Sequence, residues 1–134
     1  MADIFLSTAD WPYMWASFYS ATLLIIAVST FTPAVYSVCE QAGFPQPRDQ
    51  PLNVFVYLFA ALQFMVGLAV AILEIAGEWR AVSVIIACAF PMGLVGTSLS
   101  ATKGGLGYGK EFWSHFLLTT IGTLAGWRLL QDNW

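Results

Sequence analysis

The chain has 134 residues, of which 58% are apolar and 10% charged, and its formal net charge is −3 at pH 7. Soluble domains carry about 25% charged residues, so this composition excludes an ordinary soluble domain and indicates a membrane protein. The small net charge and the scattered Lys and Arg residues also exclude a nucleic-acid-binding surface.

Four long apolar stretches follow one another along the chain, at residues 13–38, 52–76, 81–101 and 112–130. About 20 apolar residues in a helix cross the hydrocarbon core of a bilayer, and none of these stretches alternates in polarity as a membrane strand does. The sequence therefore predicts an all-α integral membrane protein, a single four-transmembrane-helix bundle with both termini on the same side. The first stretch is too long for a signal-peptide core and is expected to be retained.

The predicted bundle has two ends. End A holds both termini and the turn at residues 77–80, and end B holds the loops at residues 40–51 and 102–109. Three of the five Lys and Arg residues lie at end B, which favours end B in the cytosol. We expect an integral protein of the endoplasmic reticulum membrane with its termini in the lumen.

Prolines and paired glycines interrupt the predicted helices. Pro33 and Pro91 each remove a backbone donor and are expected to bend the first and third helices; the bends either open a cavity or are simply tolerated. Gly122 and Gly126 form a small-xxx-small pattern on the fourth helix. This pattern permits close helix contact, either within the chain or in a homo-oligomer.

Glu74 is the acid of the second apolar stretch, near end A. Ionisable side chains in a bilayer are costly and usually face the protein interior. Helical spacing places Gln63 and Gly67 on the face of Glu74, so this stripe is predicted to face the bundle.

Two interpretations of Glu74 remain open. It acts as a proton donor or acceptor in a site at end A, with Asp10 as its partner. Alternatively, it reaches the membrane surface and pairs with Arg80 or Arg128.

His115, the single histidine, lies near the start of the fourth helix at end B. Glu111 precedes it by four residues and Thr119 follows it by four, so the three share a helical face. An interior Glu–His pair can serve as general acid and base, whereas a lone histidine near a helix end is more often a satisfied interface residue. One histidine and two cysteines at different depths do not supply a metal site.

Two tyrosines and a second acid are also expected at end B. Tyr36 and Glu40 close the first helix, and Tyr57 lies one turn into the second. Together with His115 they can line a polar pocket in which hydroxyl and carboxyl groups protonate an ether or epoxide oxygen. Each tyrosine has the alternative role of an aromatic at the membrane interface.

The stretch from Gly104 to Lys110 matches the pattern G-x-x-x-x-G-K of a phosphate-binding loop. Glu111 follows where that loop needs Ser or Thr, and the stretch follows a helix instead of a strand. We interpret it as a flexible turn and expect no nucleotide or other cofactor.

The segments TPAVYSVCEQAGFPQP, VYLFAALQFMVGLAVAILE, GEWRA and FWSHFLLTTIGTLAGWRLL carry a resemblance that spans nearly the whole chain. The chain resembles a family of small four-helix membrane proteins of unknown function, distantly DoxX-like and frequent in filamentous fungi. That family often has an arginine on the second helix and an aspartate late in the third. In this chain Gln63 lies near the position of that arginine and residues 96–98 lie near that of the aspartate. His115 carries over from the family's pattern.

Some fungal proteins of this kind accompany polyketide and terpenoid pathways as membrane hydrolases or cyclases of polyene-derived epoxides. The resemblance therefore implies a cofactor-independent enzyme that opens epoxides of a lipophilic small-molecule substrate in contact with membrane lipids. The expected catalytic residues are Glu74, His115, Glu40, Tyr36, Tyr57 and Asp10, and the expected substrate-binding residues are Gln63 and Glu111. The alternatives are a non-catalytic membrane accessory or lipid-binding protein, and a small transporter or channel.

Overall fold

The computed structural model describes residues 10–102 and 107–134, and these residues form helices and contain no strand. The middle of the glycine-rich stretch at residues 102–109 lies outside the described residues. The helices are α1 Trp11–Thr30, α2 Val35–Gln41, α3 Val54–Ile75, α4 Trp79–Cys88, α5 Phe90–Ala101 and α6 Lys110–Asn133. The predicted all-α fold is confirmed.

At each of the two prolines, the structure has two helices where the sequence predicts one bent helix. Pro33 stands in the gap between α1 and α2, because it can neither donate a backbone hydrogen bond nor fit inside a helix. Pro91 lies in the first turn of α5, where its missing N–H has no helical partner to lose. The predicted helices at residues 13–38 and 81–101 are therefore each two helices.

In the part of the chain that the structure describes, three helical segments are long and apolar enough to cross a membrane: Trp11–Thr30, Val54–Ile75 and Trp79–Ala101, the last formed by α4 and α5 together. The fourth apolar stretch forms α6, which has 24 residues. α6 is more polar than these three, because charged residues lie near both of its ends. The described helices are thus consistent with a membrane protein.

The interior of the bundle is built largely from small and hydroxyl-bearing side chains, and its outside from large apolar ones. Buried positions include Ala16, Ser20, Ala27, Thr30, Ala60, Ser83, Ser100 and Ala125. Exposed positions include Phe18, Ile25, Phe31, Phe55, Met65, Ile72, Leu117 and Leu124. Small residues let membrane helices approach closely, and an apolar surface of this extent matches lipid better than water.

α3 packs along α1, and the two helices approach closely at Gly67. A Cβ atom on Gly67 would lie 3.1 Å from the backbone oxygen of Ser20. Gly67 and Val70 are buried, and the Oε1 atoms of Gln63 and Glu74 are buried as well. The predicted inward-facing stripe of Gln63, Gly67 and Glu74 therefore does face the bundle.

The small residues of α6 pack within the chain. A Cβ atom on Gly126 would lie 3.1 Å from the backbone nitrogen of Ala87, and one on Gly122 would lie 3.3 Å from Trp15 Nε1. Of the two kinds of contact that the pattern allowed, the structure contains the one inside the chain. Homo-oligomerisation through these glycines stays a prediction.

Candidate functional site

An open cleft of about 410 Å³ lies at end A, between the first turns of α1 and the start of α4. Its lining residues are Asp10, Tyr13, Met14, Ser17 and Trp79. The spacing of three and four residues places the first four on one side of α1. The lining is mainly apolar and includes the oxygen atoms of Asp10, Tyr13 and Ser17, so it can hold a ligand with a hydrocarbon body and an oxygen atom.

The Glu74 carboxyl lies close to the hydroxyl of Ser17, which lines this cleft. The same hydroxyl lies 3.4 Å from the backbone oxygen of Tyr13, and its single hydrogen can serve one acceptor at a time. Glu74 Oε1 is buried and has no hydrogen-bond partner among the described residues. An unpartnered buried oxygen is costly, which makes this atom a candidate for binding a ligand.

Neither arginine proposed as a surface partner pairs with Glu74. The Arg80 guanidinium lies over the Trp134 ring, 3.9 Å from its centroid. Arg128 Nη2 lies 3.2 Å from an oxygen of Asp132. Within residues 10–102 and 107–134 no ion pair reaches Glu74, and its carboxyl lies beside Ser17, which lines the cleft.

Tyr13 is fixed in the cleft wall by two contacts. Its ring meets Trp79 edge-on, with centroids 4.7 Å apart and planes at 81°. Its hydroxyl oxygen accepts a hydrogen bond from Asn133 Nδ2 at 3.3 Å. Sequence reasoning missed Tyr13, Ser17 and Asn133; the helical spacing of the first two from Asp10 was the available signal.

His115 ties α6 to the end of α2. Its Nε2 atom lies 2.9 Å from the backbone oxygen of Ala42, and because a carbonyl oxygen only accepts, Nε2 carries the hydrogen. Ala42 caps α2, and Gly43 follows with φ +82°, a left-handed conformation that commonly ends a helix. His115 therefore satisfies a carbonyl group that the helix end leaves unpaired.

A second cleft, of about 500 Å³, opens at end B between α2 and the start of α6. Its lining residues are Ser37, Glu40, Gln41, Lys110, Glu111 and Ser114. Lys110 Nζ lies 3.7 Å from Glu111 Oε1. The structure thus brings Glu40 and Glu111 to one cleft, while the His115 ring is occupied by the α2 carbonyl beside it.

The other predicted residues lie apart from both clefts. The Arg48 guanidinium lies 5.7 Å from the Tyr36 ring centroid, and the Tyr57 ring lies 5.7 Å from that of Phe31. Gln63 Oε1 is buried without a hydrogen-bond partner in the described part of the chain. Tyr36 and Tyr57 are therefore not grouped with Glu40 at the end B cleft.

The described residues contain no group of three or more His, Cys, Asp or Glu side chains arranged to hold a metal ion. Cys39 and Cys88 are both free thiols. Comparison of the chain with protein-family models, curated proteins and solved structures finds no match.

Proposed function

We propose that the chain is a four-helix integral membrane protein in which α6 is the fourth crossing. Residues 112–127 of α6 contain no Asp, Glu, Lys or Arg, and the 24-residue helix is long enough to span a bilayer. The contact of Asn133 with Tyr13 supports placing both termini on one side. The excess of basic residues at end B supports a cytosolic end B and lumenal termini, in the endoplasmic reticulum membrane.

We further propose that the protein is a cofactor-independent enzyme that opens the epoxide of a lipophilic polyene, polyketide or terpenoid at end A. The observation that carries this proposal is the unpartnered, buried Oε1 of Glu74, whose carboxyl contacts Ser17 in an open cleft. Asp10 lines the same cleft and supplies a second carboxyl group. The apolar outer surface of the bundle gives a lipophilic substrate a route from the bilayer.

The proposed reaction needs one acid and one base. Glu74, as the neutral acid, donates its proton to the epoxide oxygen while the C–O bond breaks. Asp10, as the carboxylate, accepts a proton from the water whose oxygen attacks the ring carbon. The product is a diol, formed by the net addition of one water. Asp10 then releases its proton to solvent and Glu74 takes one up, which restores both groups. If a hydroxyl of the substrate attacks instead, the product is a cyclic ether.

The resemblance to the DoxX-like fungal proteins supports the same class of reaction. It implies epoxide opening in a secondary-metabolite pathway, and it adds the expectation that the substrate is polyene-derived. The cleft geometry supports an acid and a base at end A, whereas the residue that carries over from the resemblance, His115, lies at end B.

Turnover of a lipophilic epoxide tests the proposal. Protein in lipid nanodiscs is incubated with polyene mono-epoxides in H₂¹⁸O, and the products are analysed by mass spectrometry against empty nanodiscs. We expect a diol with one ¹⁸O, or an unlabelled cyclic ether from a hydroxylated substrate. Product at the level of empty nanodiscs for every epoxide would refute the proposed activity.

A non-catalytic accessory or lipid-binding role is the second candidate, and the state of His115 favours it. The histidine is engaged by the Ala42 carbonyl, which is a structural role. This candidate predicts that purified protein retains lipid molecules in native mass spectrometry while all epoxides remain unreacted. An epoxide-dependent product would exclude a purely non-catalytic role.

A further inference from the structure

We infer that Tyr13 is the hydrogen-bond donor that recognises an acceptor oxygen of the ligand in the end A cleft, and that Asn133 positions it for that task. The inference rests on the proposed function for the class of ligand, a lipophilic molecule that carries an epoxide or ether oxygen.

The hydrogen atoms of the Tyr13–Asn133 pair can be assigned. Asn133 Nδ2 carries two hydrogens, and it donates to the Leu129 backbone oxygen at 2.8 Å and to the Tyr13 hydroxyl oxygen at 3.3 Å. The Tyr13 oxygen is therefore an acceptor in this contact, and its own hydrogen points elsewhere. Among the described residues that hydrogen has no acceptor, so it is available to a ligand.

The position of the Tyr13 hydroxyl is fixed before a ligand arrives. The ring packs against the buried core of the bundle and meets Trp79 edge-on. Asn133 holds the hydroxyl oxygen from the last turn of α6. A donor held in this way binds its acceptor without first losing rotational freedom.

Tyr13 adds a hydrogen-bond donor that does not depend on the protonation of the two acids. An epoxide or ether oxygen only accepts hydrogen bonds, and an ionised Asp10 or Glu74 carboxylate only accepts them too. The single Ser17 hydrogen is shared between the Tyr13 backbone oxygen and the Glu74 carboxyl. Tyr13 thus offers a donor in every protonation state of the two acids, and it holds the epoxide oxygen while the acid protonates it.

A matched pair of unreactive ligands tests the inference by binding alone. The two ligands share one long hydrocarbon chain and end in a tetrahydrofuran ring or in a cyclopentane ring. Their dissociation constants for the nanodisc-embedded protein are measured by isothermal titration calorimetry. A neutral hydrogen bond contributes about 0.5–1.5 kcal/mol, so we expect wild type to prefer the ether by about two- to tenfold.

Tyr13→Phe should bind both ligands equally, with an unchanged dissociation constant for the cyclopentane ligand, which shows that the cleft is intact. Asn133→Ala should lower the preference while also leaving cyclopentane binding unchanged, a selective change that a merely structural role would not produce. Tyr19→Phe is the control, because it removes a hydroxyl from the same helix outside the cleft lining and should keep the wild-type preference.

An undiminished ether preference in Tyr13→Phe would overturn the inference, and so would the absence of any preference, or of any binding, in wild type. The outcome of this binding test can be distinguished from the outcome of the turnover experiment. A Tyr13-dependent preference without epoxide turnover leaves the recognition site standing and refutes the enzyme. Turnover without a Tyr13-dependent preference refutes the recognition site and leaves the proposed enzyme standing.

Discussion

The Ser20 hydroxyl on α1 donates to the backbone oxygen of Gly67 on α3 at 2.9 Å. The bond forms because Gly67 has no side chain to hold the helices apart. Ser17 lies one turn before Ser20, and Glu74 lies two turns after Gly67. The same close approach therefore brings Ser17 to the Glu74 carboxyl, and the packing of two helices sets the geometry of the cleft at end A.

Substitution of Gly67 by valine should separate α1 from α3. A Cβ atom added there would lie 3.1 Å from Leu23 Cβ and from the Ser20 backbone oxygen. We therefore expect Gly67→Val to lower the free energy of unfolding by about 1–3 kcal/mol. The control is Gly96→Val in α5, where a Cβ atom meets nothing within 4 Å. Circular dichroism during SDS titration in mixed micelles measures both; equal stabilities would contradict the role of Gly67.

Removal of the His115 ring should loosen the end of α2. His115→Ala leaves the half-buried Ala42 carbonyl without its donor, at a cost of about 0.5–1.5 kcal/mol for one hydrogen bond. Trypsin cleavage after Arg48, in the loop that follows α2, should then become several times faster by mass spectrometry. His115→Gln retains an N–H donor and should protect the loop as wild type does. Identical cleavage of His115→Ala and wild type would show that the contact does not hold α2.

Cysteine labelling should show whether α6 crosses the membrane. In a variant that lacks Cys39 and Cys88, single cysteines at Glu78, Asp132 and Gln50 are labelled with an impermeant maleimide in sealed vesicles. Four crossings place residues 78 and 132 on one face and residue 50 on the other. Labelling of residue 132 from the face that labels residue 50 would mean that α6 does not cross.

The two native thiols should react little with the maleimide, so their removal in the labelling variant is a precaution. Burial raises the pKa of the Cys39 thiol, so it contains less of the reactive thiolate at pH 7 than an exposed cysteine does. Cys88 is exposed, but it lies within an apolar segment suited to the bilayer interior. Wild-type protein in vesicles should therefore take up little label.

Features governed by local physics were accessible from the sequence. The predicted helix at residues 52–76 corresponds to Val54–Ile75, because apolar length determines it. The inward direction of Gln63, Gly67 and Glu74 follows from helical periodicity. The sequence predicts a bend at Pro33, whereas the structure has a break between α1 and α2. The Thr32 hydroxyl donates there to the Ser29 oxygen that an N–H at position 33 would have reached, and helical periodicity does not reveal such a local bond.

The sequence does not predict which distant segments of the chain come into contact. Tyr13 and Asn133 are 120 residues apart, and His115 and Ala42 are 73 apart. Periodicity places a residue on a face of its own helix, but it does not show which residue of another helix packs against that face. Membrane depth alone therefore points to Tyr36 and Tyr57, whereas the position of Tyr13 in the cleft depends on its contacts with Trp79 and Asn133.

The rate of epoxide opening by Glu74→Gln and Glu40→Gln tests the central claim most directly. Each variant replaces one carboxyl oxygen by an amide nitrogen, and the two sites lie at opposite ends of the bundle. Loss of a general acid lowers the rate by about 10²–10⁴-fold, which we predict for Glu74→Gln, while Glu40→Gln keeps the wild-type rate. A wild-type rate in Glu74→Gln, or loss of activity in Glu40→Gln alone, would contradict an active site at end A.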